Sequence, residues 1–200
     1  DNIVEKSPNM HWYQGPTLLG HLEEAPVSDT RMLDQPFRMA VQWVNRPNLD
    51  FRGFAGQIGA GMVRPGDAIR VLPSGKTTTV KSIVTYDGDL DLAVAGQSVT
   101  LTFADEIDCS RGDMIVQSDQ PCEVADQFEA TVVWMAEQEM LPGRPYLLKI
   151  GTQTVTATVT EPKYEVNVNT LEHLASKTLG LNAIGVVNIS TDRPIPFEAY

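Results

Sequence analysis

Ser74-Gly75-Lys76-Thr77 carries the residue types that close a phosphate-binding loop, where backbone amides and a lysine ammonium neutralise a phosphate. That chemistry also needs a glycine five positions before the second one and a helix to follow, so that helix N-terminal amides point at the anion. Arg70 stands where the glycine should be, and strand-like sequence flanks the motif on both sides. A hairpin turn is expected, and no nucleotide. Asp87, Asp89 and Asp91 alternate as the oxygen ligands of a calcium loop do, but the glycine and the distal bidentate glutamate of such a loop are misplaced. They read as a solvated hairpin tip.

His11, His21 and His173 lack the paired spacing of metal ligands, and Ser, His and Asp share no nucleophile setting. Cys109 and Cys122 fit neither a metal knuckle nor a redox pair and are expected as reduced thiols. Arg111-Gly112-Asp113 spells an adhesion tripeptide, yet a turn whose Asp accepts backbone hydrogen bonds explains it. Asn188-Ile189-Ser190 spells a glycosylation site inside an expected strand. No catalytic, cofactor-binding or metal-binding residue is assigned. The most unusual stretch is the loop from Asn45 to Gly53, where charge surrounds Leu49 and Phe51 between two clear strands. Such loops often carry recognition, and Arg46, Asn48, Asp50, Phe51 and Arg52 are the candidate partner-contact residues. An Arg and Asp pair tying down a barrel corner is the alternative.

Elements of a particular kind must hold that loop. The 200 residues are 42% hydrophobic, and since domains commonly run about 100 to 150 residues, one large or two small ones are expected. The formal net charge is -11, and no segment is basic, so a polyanion finds no electrostatic attraction here. No apolar run reaches the roughly 18 residues that span a bilayer. The first residues, Asp1 to Lys6, show no signal-peptide pattern. The chain reads as soluble and cytoplasmic, with neither nucleic acid nor membrane as partner, and it starts without methionine as the middle of a polypeptide would.

Gly15 to Ala25 places Leu18, Leu19 and Leu22 on one face behind Pro16, which predicts one short amphipathic helix. Pro26 to Pro36 reads as a linker. Phe37 to Val44 alternates, with Phe37, Met39, Val41 and Trp43 expected on the buried side of one strand. Short strands follow at Phe54 to Ile58, Ala68 to Leu72, Thr78 to Thr85, Ser98 to Phe103 and Met114 to Val116. The turns Arg64-Pro65-Gly66-Asp67 and Ser110-Arg111-Gly112-Asp113 return the chain so densely that a closed barrel is favoured. After a polar pause at Asp119 to Asp126 a second set is expected at Phe128 to Met135, Tyr146 to Ile150, Thr154 to Thr160, Tyr164 to Val168 and Ile184 to Ser190, with a helical turn at Leu171 to Ser176. The fold class is all-β: two consecutive small β-barrels and one short N-terminal helix, divided as 1–30, 31–121 and 122–200.

Gly53-Phe54-Ala55-Gly56-Gln57-Ile58, Val63-Arg64-Pro65-Gly66-Asp67 and Ala68-Ile69-Arg70-Val71-Leu72-Pro73-Ser74-Gly75 resemble the second domain of translational GTPases such as elongation factor Tu. Met10-His11-Trp12-Tyr13-Gln14-Gly15-Pro16-Thr17-Leu18-Leu19, the 44–53 stretch, Leu141-Pro142-Gly143-Arg144-Pro145-Tyr146, Tyr164 to Glu172 and Asp192 to Phe197 narrow the resemblance. They look like the large, GTP-dependent subunit of sulfate adenylyltransferase, including its nodulation-type bifunctional relatives.

The resemblance implies a GTPase domain ahead of Asp1 that holds GTP and Mg, with no cofactor in these residues. It implies two partners, that GTPase domain and the small catalytic subunit, which joins ATP and sulfate to adenosine 5'-phosphosulfate. It also implies that the second barrel lacks its last strand, which predicts an open, fraying edge at Ile184 to Ser190. A translation-factor barrel pair binding aminoacyl-tRNA is the rival reading, and the five basic against ten acidic residues of 122–200 weigh against it. A free-standing β-barrel binding module is the third.

Overall fold

A computed structural model describes residues 2–25 and 32–198. The only α-helix among them is α1, Leu18–Glu24, whose N-cap is Thr17: its hydroxyl accepts the Gly20 amide at 3.1 Å. Pro16 therefore precedes the cap instead of opening the helix. The apolar face holds the expected residues, Leu18, Leu19 and Leu22, and all three are exposed. Of the expected linker, 26–31 lies outside the described residues.

The first sheet contains β1 (Arg38–Ala40), β2 (Trp43–Asn45), β3 (Gly53–Ala60), β5 (Ala68–Leu72), β6 (Thr77–Thr85), β7 (Gly88–Leu90), β9 (Ser98–Phe103) and β10 (Met114–Gln117). A small ladder, β4 (Met62–Val63) with β8 (Ala93–Val94), lies beside it. The order β1-β10-β5-β6-β9-β3 returns to β1 through a β1–β3 pairing, so every strand of that ring has two neighbours and the barrel is closed. Closure takes Met39, Ile83, Leu101 and Ile115 to 0% exposure. The two expected turns have one design: Asp67 accepts the Arg64 amide and Asp113 the Ser110 amide, each at 2.8 Å. Gly66 and Gly112 supply the positive φ, 92° and 101°, that such turns require.

One strand reading is corrected here. The segment 37–44 is two strands, and Trp43 faces solvent at 65% exposure. Between Ala40 and Trp43 the chain changes partners: the Val41 amide bonds to Asp113 and the Gln42 amide to Ala55. That break shifts the alternation by one, so Val44 and not Trp43 packs against the core.

The second barrel contains β11 (Glu123–Val133), β12 (Pro145–Ile150), β13 (Gln153–Val159), β14 (Tyr164–Val166), β15 (His173–Leu174) and β16 (Ile184–Phe197). β16 is the hub, with β11 along one side and β14 and then β13 along the other. The expectation of a fraying edge at Ile184 to Ser190 is therefore wrong, because that stretch is paired on both sides. Among the described residues, β11 pairs only with β16, β12 only with β13 and β15 only with β14, so the free edges lie there. Met140, Leu179 and Val187 form the interior, against which Phe128, Val132, Trp134 and Leu148 are only partly buried.

The helical turn expected at Leu171 to Ser176 is absent. Asn167 accepts the Asn169 and Thr170 amides through its side chain, and Leu171 takes a φ of 61°. The reversed chain pairs β15 with β14, and His173 stacks on Tyr164 at 3.7 Å. At the junction of the barrels Arg38, 9% exposed, donates from Nε to Glu198 at 2.6 Å.

Candidate functional site: a charged cleft under the 45–53 loop

The β2–β3 connection has the residues for a firm turn. Asn48 Oδ1 accepts the amides of Asp50 at 3.0 Å and Phe51 at 2.9 Å, a side-chain mimic of a backbone turn. Gly53 follows, and a Cβ there would lie 2.8 Å from the Phe51 ring and would also strike Thr100. The missing side chain is thus what lets Phe51 lie across the start of β3. Arg52 sets its guanidinium 5.4 Å from the centre of the Phe54 ring and 4.0 Å from Asp108, which also meets Lys76 at 3.3 Å. Phe54 in turn stacks on Phe103 at 4.3 Å, which anchors the loop's base in the core.

Below the loop lies a cleft of about 540 Å³, a volume within the range of small-ligand and side-chain pockets. Of the five residues singled out in sequence, Arg46, Asp50, Phe51 and Arg52 line it, while Asn48 shapes the turn from outside. The sequence reading missed the opposite wall: Lys81 and Ser82 of β6, Asp89, Thr102, and the Asp105-Glu106 pair after β9. The Ser82 and Thr102 hydroxyls meet at 2.6 Å on that wall. β6 carries a bulge at Lys81. Val80 pairs with Phe103 and Ser82 with Thr102, which leaves Lys81 as the extra residue. The bulge shifts the alternation that follows it, so that Ile83 and not Ser82 turns into the core. A signal existed in the sequence: the buried residues Val80 and Ile83 are three apart in a strand whose side chains should alternate.

The cleft holds three cations, Arg46, Arg52 and Lys81, and four carboxylates, Asp50, Asp89, Asp105 and Glu106. It can bind charged groups, but it contains no nucleophile matched to a base. Among the described residues no three His, Cys, Asp or Glu side chains come together to hold a metal. Behind the loop, burial of Cys109, with the Asp113 charge adding to it, pushes its thiol up to about 12. Burial also raises the Cys122 thiol. Ser74 to Thr77 forms the turn between β5 and β6, with Gly75 at φ 75° and no helix after it.

Comparison with known proteins gives a consistent set of likenesses. Residues 127–200 match the family model described as GTP-eEF1A C-terminal domain-like. All of the chain aligns with the bifunctional enzyme NodQ of Rhizobium sp. (strain N33) at 50% identity, covering 31% of that protein. It aligns with sulfate adenylyltransferase subunit 1 of Shewanella woodyi at 50% identity over 201 residues, covering 42% of it. The chain thus spans less than half the length of the curated relatives it matches. In fold it resembles the structure of sup35 complexed with GDP, with TM-score 0.75 at 19% identity, over 99% of this chain and 49% of that one.

Proposed function

From the premise that the chain is a homologue of sulfate adenylyltransferase subunit 1 over its whole length, we propose that its barrels are the non-catalytic part of a GTP-dependent sulfate adenylyltransferase in the cytoplasm. They couple GTP hydrolysis in a neighbouring domain of the parent protein to the formation of adenosine 5'-phosphosulfate from ATP and sulfate by a small catalytic subunit. GTP and Mg belong to that neighbouring domain.

Coupling of this kind needs a body that moves as a unit and a surface that meets a partner. A closed barrel with a fully buried core supplies the first. The pinned 45–53 loop with its cleft is suited to the second, and Arg46, Asp50, Phe51 and Arg52 are the contact residues in this reading. The 50% identity to subunit 1 across all of this chain carries the proposal.

Calorimetric titration of the chain with a purified small subunit, beside a tRNA titration, tests it. Saturable binding to the subunit and none to tRNA is the expected result. Binding to tRNA alone would replace this reading with an aminoacyl-tRNA-binding barrel pair, which the sup35-like fold could support but the net charge of -11 disfavours.

A further inference from the structure

We infer that Asp87-Gly88, at the tip of the β6–β7 hairpin, is a site of spontaneous aspartyl isomerisation, at which the main chain reroutes through the Asp87 side chain to give isoaspartate. The inference stands apart from the coupling role proposed above.

The chain holds one Asp-Gly step and no Asn-Gly step. In the reaction the Gly88 amide nitrogen attacks Cγ of the protonated Asp87 carboxyl. An N–C bond replaces the C–OH bond, and the hydroxyl leaves with the amide proton as water. Water then opens the cyclic imide at either carbonyl. Attack at Cγ restores aspartate, whereas attack at the backbone carbon leaves the chain running through Cβ and Cγ. Mass is unchanged overall, and water is the only co-reactant. A side chain on the following residue would shield the attacking nitrogen, and glycine has none.

The fold leaves this one step accessible. A Cβ built on Gly88 would meet nothing within 4 Å. Asp87 and Gly88 are exposed, and Tyr86 beside them is at 103% exposure. Asp67, Asp113 and Asp105 each accept an amide or hydroxyl at 2.8 Å, but among the described residues the Asp87 carboxyl takes part in no hydrogen bond or ion pair. The attack requires the turn to open, because Thr85 and Gly88 are paired across it. That opening breaks little: β7 has three residues and pairs only with β6. Short, exposed hairpin tips of this kind belong to the low end of local unfolding energies.

Isoaspartate lengthens the main chain by one methylene between Asp87 and Gly88, in a turn that consists of Tyr86 and Asp87 alone. The loop length fixes the register of a hairpin, so the pairing of Val84 with Asp89 is lost, and with it the place of Asp89 on the cleft wall.

The test is incubation of the 200-residue chain at neutral pH over several weeks. Aliquots are methylated by a protein isoaspartyl O-methyltransferase with radiolabelled S-adenosylmethionine, and peptide mapping with electron-transfer fragmentation locates the label. The expected result is isoaspartate at Asp87 above every other aspartate, forming within about 10-fold of the rate of the same chain unfolded in urea. Asp87→Glu should abolish the label at this position, since its imide would need a larger ring. Asp87→Asn should modify faster, with ammonia leaving in place of water and the mass gain of deamidation. Circular dichroism checks that both variants fold. If the native chain isomerises more than about 10-fold slower than the unfolded one, the hairpin protects Gly88 and the inference is overturned. Label concentrated at another aspartate, or an Asp87→Asn chain that deamidates no faster there than at Asn48 or Asn167, also overturns it.

Discussion

The two barrels are written in the same alternating pattern and end in different states of burial. In the first, the ladder runs full circle and side chains such as Leu101 and Ile83 reach 0% exposure. In the second, the ladder stops at β11, β12 and β15, and the inward residues Phe128, Val132 and Leu148 stay partly open. Alternation tells which residues face inward, but only closure decides how far they leave water. The hydrophobic gain scales with the area removed from water, so the first barrel should hold most of the molecule's stability and the second should respond to whatever covers its edges.

The largest effect should separate the barrels directly. Leu101→Ala removes a fully buried side chain and should cost about 3 kcal/mol, whereas Leu148→Ala should cost about 1 kcal/mol. Urea unfolding of both variants measures this, and equal losses would break the contrast.

Next comes the junction. Arg38→Met removes the nearly buried partner of Glu198 and should cost about 2 kcal/mol. It should also split one unfolding transition into two, and a single unshifted transition would mean that the barrels are not joined there.

Hydrogen exchange sharpens the comparison strand by strand. Amides of β9 and of Ile184 to Ser190 should be protected together, and the outward amides of β11 and β12 should exchange about ten times faster or more. Uniform protection across the second barrel would show that its edges are covered in solution.

A pH effect is expected in the first barrel. Because burial pushes Cys109 up to about 12 from 9.0, the unfolded chain loses this proton first. Folding stability should therefore fall as pH rises from about 9 to about 12, and a Cys109→Ala variant should show a shallower decline. Identical slopes would place the thiol in contact with water. The smallest effect is expected at the loop tip, where Leu49→Ala should change stability by no more than about 0.5 kcal/mol. A larger loss would mean that Leu49 supports the barrel and is not held out for a partner.

Much of the fold was legible before any coordinates. Ala68–Leu72 and Ser98–Phe103 are the strands their alternation predicts, and Asp67 and Asp113 close their turns as the Gly-Asp pairs imply. The candidate loop was legible too, because its charges interrupt two apolar strands. Only half the cleft was, since its other wall comes from residues 81–106, remote in sequence and ordinary in type.

These features depend on the residue's own preferences and on neighbours a few positions away, which the sequence states outright: which side chains alternate and where glycine permits a return. The outward turn of Trp43, the bulge at Lys81, the extended path at 173–174 and the open edges at β11, β12 and β15 depend on which strand lies alongside. Hydrogen-bond partners distant in sequence settle those points, because a strand's register and burial belong to the sheet that accepts it and not to the strand itself.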